Sequence, residues 1–241
     1  MHIRLSFSYI ISFLLLTIVM LEFHESVHIL VGRLICGCWG ERDFNVWELC
    51  TGCDKNQTLS WIATLAGPLF SFSLMWLGMH WLSSPNSKIK AIGFSLIFAN
   101  IPFGRISQAM KGAGDEMVVT KHLLANYLSS KQIILICSII VLAIGLPPII
   151  KAFRILTNKR SWLYILGFLT LPIAFILVYI LIGMNTLLKN GFLAGIWIMG
   201  TPLLITIHTV LAILFLFLFR NKLFALNNTS LTNNSPVRKR C

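Results

Sequence analysis

Residues 5–35 read LSFSYIISFLLLTIVMLEFHESVHILVGRLI. The first half, from Leu5 to Leu21, holds no charged side chain, and the whole run exceeds the ~20 residues a helix needs to cross a ~30 Å hydrocarbon layer. Its second half carries Glu22, His24, Glu25 and His28. Ionisable groups inside a membrane segment are costly and mark a functional site by default. Arg4 followed by the apolar stretch matches the opening of a secretory leader. No small-x-small cleavage site follows, however, and the next residues are Glu22-Phe-His-Glu25, so a retained helix is expected.

Further apolar runs cover 59–83, 89–110, 132–153, 162–187 and 192–219. The chain is 56% hydrophobic and 12% charged, with a mean hydropathy of +0.80. A soluble domain carries about a quarter charged residues, so a soluble core is excluded. Backbone amides in lipid must pair within the segment, which makes each run a helix. The expected fold is therefore an all-α integral membrane protein of about six transmembrane helices. One polytopic domain spans 1–224, and 225–241, rich in Asn and Ser and ending Arg238-Lys239-Arg240-Cys241, is expected to be a disordered tail. Trp61, Trp76, Trp81, Trp162 and Trp197 near the run ends read as interface anchors.

The net charge of +12 does not indicate nucleic acid, because the basic residues are scattered between apolar runs with no aromatic-rich soluble surface. Contact with the lipid bilayer explains them. With six spans, twelve of the twenty Lys and Arg fall on the side of the termini, which favours cytoplasmic termini.

The eight acidic residues are placed more tellingly. Past Asp54 only Asp115 and Glu116 remain. On a helix, His24 and His28 project from one face a turn apart and can share a metal ion, with Glu25 beside them to reach a coordinated water. Zinc suits two imidazoles and a carboxylate with a fourth position open. The third ligand is sought among Asp115, Glu116, His80, His122 and His208. Gly112 and Gly114 free the backbone just before the acids, and Pro102 breaks the third helix near Asn100, as helices lining a cavity tolerate. Elimination selects Asp115, with Glu116 as the alternative. His122, seven residues on, is a candidate neighbour or alternative ligand. Glu22, one turn before Ser26, is expected to hydrogen-bond a ligand histidine or cap the cavity. His80 and His208, single histidines in apolar runs, are expected to pair with neighbouring helices.

His24-Glu25-x-x-His28, Ala66-Gly67-Pro68, Asn100-x-Pro102 and the later Asp115 together resemble the site-2 protease family of intramembrane zinc metalloproteases. The resemblance covers roughly residues 15–120, a three-helix catalytic core. It implies Zn²⁺ on His24, His28 and Asp115, Glu25 as the base, Asn100 near the substrate backbone, and close helix packing at Gly67-Pro68. This chain departs from the family's Asn-x-x-Pro with a closely following Asp-Gly: it has Asn-x-Pro, and the acid comes fifteen residues after Asn100 and is followed by Glu. The family's placement of the motif towards the cytosol also implies the orientation opposite to the charge count.

The loop after the first run holds Cys36-x-Cys38 and Cys50-x-x-Cys53. Four thiols at these spacings form two disulfides in an oxidising compartment, hold a structural zinc in the cytosol, or stay unpaired; the charge count favours disulfides. Cys137 reads as core, and Cys241 lacks a prenylation context. Asn56, Asn227, Asn228 and Asn233 begin glycosylation patterns.

The expected activity is hydrolysis of a peptide bond in or beside a transmembrane segment of a membrane-anchored protein substrate. Zinc would polarise the carbonyl and activate a water, and Glu25 would carry its proton to the leaving amine. A di-iron hydroxylase would need more histidine boxes than six histidines supply. A prenyl-protein type of membrane protease would carry its motif later in a longer chain. The remaining alternative is a non-catalytic polytopic protein, transporter or scaffold, with a metal-binding or structural polar site, although such a protein has no need of Glu25.

Overall fold

The computed structural model describes residues 1–53 and 57–224. The tail over 225–241 and the patterns at Asn56, Asn227, Asn228 and Asn233 lie outside the described residues. Helix α1, Phe7–Cys36, begins where the Ser6 hydroxyl accepts from the Tyr9 amide and ends at Gly37, whose φ of 76° needs no β-carbon penalty. Then come α2 (Trp61–Trp81), α3 (Ser87–Ala99), α4 (Pro102–Met110), α5 (Asp115–Leu124) and α6 (Ser130–Ile155). Helix α7 (Ser161–Phe175) continues as a π-helix over Ile176–Met184 and then as α8 (Asn185–Lys189). A two-stranded hairpin, β1 (Ile196–Ile198) and β2 (Thr201–Pro202), precedes α9 (Leu203–Phe219) and a 3₁₀ turn at Arg220–Phe224.

Among the described residues, six helical segments are long and apolar enough to cross a membrane: Phe7–Cys36, Trp61–Trp81, Ser87–Met110, Ser130–Ile155, Ser161–Lys189 and Leu203–Leu223. By length and composition this is a multi-pass membrane protein. Leu135 and Ile139 on α6, Val178 and Ile182 on the π segment, and Val210, Phe217 and Leu218 on α9 are exposed, as lipid-facing side chains are.

The third run is broken at Asn100–Ile101, as expected, because Pro102 brings no N–H and disfavours helix at the residue before it. Ile101 takes φ 54°, a strained value for a β-branched residue. The last run is helical only from Leu203. Residues 196–202 form the hairpin instead, and positive φ at Leu193, Met199 and Gly200 turns the chain before Pro202 admits the helix.

Helix α1 is the centre of the bundle and packs against α2, α3 and α9. Near the N-terminal end of α1, Phe13 and Phe94 each meet Phe168 edge-on with centroids 5.0 Å apart. Gly78 and Gly93 bring α2 and α3 together so tightly that a β-carbon on either would lie 2.6 Å from the other's carbonyl oxygen. A second core joins Phe72 and Met75 to Ile106, Ala109, Met117, Ile133, Val141 and the buried Cys137, and so ties α4 and α5 to α2 and α6. Cys137 is core, as expected.

The loop after α1 is covalently closed by Cys36–Cys53 and Cys38–Cys50 disulfides. Of the three arrangements open to these thiols, disulfide pairing is the one the fold adopts, and no structural zinc is formed by them. The loop turns at Asp43, whose carboxylate accepts the Asn45 and Val46 amides at 2.7 Å. The turn drives Phe44 into the bundle, fully buried against Ile180, Leu204 and Ile205.

Candidate metal centre

His24 and His28 lie on one face of α1, as an i, i+4 pair must. Their Nε2 atoms are 3.1 Å apart, and Asp115 Oδ2 is 3.2 Å from one and 3.4 Å from the other. These three atoms form a near-equilateral triangle. Zinc bonds of about 2.0–2.1 Å in a tetrahedron require ligand atoms about 3.3 Å apart, so the donor set and its spacing fit that ion with the fourth corner open. Both imidazoles are buried, and among the described residues this is the one His/Cys/Asp/Glu group that could hold a metal.

The surroundings fix each ligand. His28 Nδ1 donates to the Ala63 carbonyl at 2.7 Å, which leaves the Nε2 lone pair for a metal. Its ring is stacked on Trp47 from the disulfide-closed loop, 4.7 Å between centroids and 9° from parallel. His24 Nδ1 lies 3.1 Å from Ser71 Oγ and 2.9 Å from Arg105 Nη2. Gly67 on α2 faces both rings so closely that a β-carbon would overlap the His28 ring. Asp115 opens α5 after the Gly112 and Gly114 turns, φ 73° and 88°; positive φ is the glycine conformation that swings the acid back under α1. Burial alone would push the Asp115 carboxyl up, yet its contacts with the His24 and His28 rings outweigh burial and hold it well below the usual carboxylate range.

Glu25 opens with His24 and Asp115 into a cavity of about 220 Å³. Asn45, Arg105 and Gln108 complete its polar side, and Leu21, Ile101, Ile173, Ile176, Leu177 and Leu181 form an apolar wall. Glu25 Oε2 is buried without a hydrogen-bond partner among the described residues.

Other site candidates lie elsewhere. Glu116 is held by Arg105 at 3.0 Å and is not in the group, because consecutive residues of α5 point some 100° apart. His122 is exposed, stacks on Trp61 with centroids 6.0 Å apart, and borders a separate cavity with Trp47 and Glu48; it neither joins nor supports the ligands. Glu22 forms a buried ion pair with Arg42 rather than a bond to a ligand histidine. Asn100 is buried and donates to its own helix at Leu96 O, 2.8 Å, while the strained Ile101 lines the cavity in its place. His208 does pair with a neighbouring element, Nε2 lying 3.2 Å from the Tyr179 hydroxyl; His80 is exposed at the end of α2.

Sequence reasoning did not place Arg105, Asn45, Ser71, Trp47 or the fifth span at the site. Arg105 carried a usable signal: it is an intramembrane cation, subject to the same rule that singled out Glu22 and Glu25. The fifth span enters through its π-helix, which widens the turn and sets Ile176, Leu177 and Leu181 into the wall. No protein-family model, curated protein or solved structure matches this chain.

Proposed function

We propose that the protein is an intramembrane zinc metalloprotease that hydrolyses a peptide bond in or next to a transmembrane segment of a membrane-anchored substrate. One observation carries the reading: three candidate ligand atoms lie 3.1, 3.2 and 3.4 Å apart, and two of their residues, His24 and Asp115, line one cavity with Glu25, whose Oε2 is unpartnered among the described residues. When bound, zinc supplies Lewis acidity that polarises a carbonyl and activates a water.

The chain's own residues supply the rest. Glu25 accepts a proton from the attacking water and delivers it to the leaving nitrogen. The water oxygen bonds to the carbonyl carbon, the C–N bond breaks, and a carboxylic acid and an amine result. The apolar wall of Leu21, Ile176, Leu177 and Leu181 receives the side chains of a lipid-borne segment and excludes bulk water. A helix shields its amides, so the substrate unwinds locally, beside the α3–α4 break that places Ile101 at the cavity. A purely structural polar site would have paired Glu25, since buried carboxylates left without partners are destabilising.

The test is reconstitution with single-span peptides in lipid vesicles. The expected result is cleavage inside the spanning segment, abolished by a zinc chelator and restored by zinc. Cleavage that persists in Glu25→Gln, or a wild type that holds no zinc, overturns the reading.

A further inference from the structure

Arg105 stands where a third catalytic group would. It lies on α4, one turn past the break at Ile101, and lines the same cavity as His24, Glu25 and Asp115. Its Nη1 bonds Glu116 Oε1 at 3.0 Å, and its Nη2 reaches Ser71 Oγ at 3.0 Å and His24 Nδ1 at 2.9 Å. Its Nε is buried and has no hydrogen-bond partner among the described residues. An unmade hydrogen bond on a buried cation is an open place for a negatively charged oxygen.

The His24 contact adds a second, independent reason. A neutral imidazole has one N–H and one lone pair. Guanidinium nitrogens only donate, so Arg105 Nη2 at His24 Nδ1 makes Nδ1 the acceptor and puts the proton on Nε2, towards Asp115. A metal on Nε2 requires the opposite tautomer, with Nδ1–H donating to Ser71 Oγ. The Arg105 N–H then faces another N–H, and only Ser71 is left to accept from it. Metal loading thus strips the guanidinium of an acceptor at the cavity it lines.

We propose that Arg105 forms an oxyanion- and carboxylate-binding subsite beside the metal centre, receiving the oxygen that gains charge when the scissile carbonyl is attacked and then the product carboxylate. The inference rests on the metalloprotease reading. Ser71 and Glu116 hold the guanidinium in place from two sides, so it is fixed at the cavity before the substrate arrives, as electrostatic stabilisation requires. The group is catalytic in the strict sense, because it touches the reacting oxygen.

A role in merely holding His24 makes the opposite prediction about metal. If Arg105 supported the ligand, removing it would weaken metal binding; as a cation that competes for Nδ1, its removal leaves binding equal or tighter. The experiment loads the detergent-purified protein with Co²⁺ as a coloured substitute for zinc and titrates it with acetate, following the visible spectrum. Wild type, Arg105→Gln and Arg105→Gln/Glu116→Gln are compared, the double variant removing the buried carboxylate that the single variant would leave unpaired. The expected result is Co²⁺ affinity equal or higher in both variants with acetate affinity at least tenfold lower, and in hydrolysis a kcat about 10²–10³ lower at little-changed KM. Unchanged acetate affinity, or Co²⁺ lost from both variants, overturns the subsite while leaving the metal centre standing. A wild type with no His24-dependent Co²⁺ bands overturns the metal reading itself, and the subsite with it.

Discussion

Gly67 and His28 are in such close contact that the hydrogen on Gly67 is the largest substituent the imidazole tolerates. The site therefore depends on a helix–helix approach as much as on its ligands. Gly67→Ala is expected to push the His28 ring out of register, at about 1–3 kcal/mol of overpacking, and to lower zinc affinity 10–100-fold, the usual effect of disturbing what orients a ligand. Zinc titration with a competing chelator measures it; an unchanged affinity would mean α2 yields at no cost.

The ligand assignment is tested by metal content. His24→Ala, His28→Ala and Asp115→Ala are each expected to lose the bound zinc. Glu116→Ala should retain it, because Glu116 faces Arg105 rather than the histidines. Elemental analysis of the purified variants distinguishes the two acids, and zinc lost from Glu116→Ala but kept in Asp115→Ala would invert the assignment.

Glu25→Gln is nearly isosteric and leaves the three ligand atoms untouched. Zinc content should equal wild type while peptide hydrolysis falls by several orders of magnitude, since the amide cannot take the water's proton. Single-turnover assays with metal analysis on the same sample read both quantities.

Buried pairing of Glu22 with Arg42 makes the loop part of the bundle. Arg42→Ala should destabilise the protein by about 3–5 kcal/mol, the penalty for leaving one buried charge alone, and Arg42→Met/Glu22→Gln should recover most of it. Thermal unfolding in detergent compares the pair; equal losses in the single and double variants would refute the ion pair.

The loop cysteines should resist a membrane-impermeant alkylating reagent until reduced, and then react from the face opposite the termini. Disulfides persist in oxidising compartments, so the Cys36–Cys53 and Cys38–Cys50 pairs accord with cytoplasmic termini, the orientation that the basic residues favour. Free thiols labelled from the cytosolic side in unreduced protein would reverse it.

Much of this architecture was legible in one dimension. Helix 7–36 follows from apolar length, the pairing of His24 with His28 on one face follows from 3.6 residues per turn, and the rarity of acids, with the glycines before them, selected Asp115 to join the histidines, Glu116 and His122 being the alternatives. These are local or compositional properties, and they survive without knowledge of what lies next to what. The geometry that turns Asp115 inward was not among them. That depends on two glycine φ values and on the docking of α5 against α2, which rotate one carboxylate to the histidines and its neighbour to Arg105. The same holds for Glu22, whose partner arrives from a loop twenty residues on, and for Asn100, turned back on its own helix while Ile101 meets the cavity. The sequence alone determined that this chain forms membrane-length helices and carries two histidines one turn apart, beside a glutamate, in the first. Only tertiary structure decided that Arg105, Trp47 and the π-helical fifth span surround that motif, because contacts between residues distant in sequence arise from packing geometry, which no period in the sequence encodes.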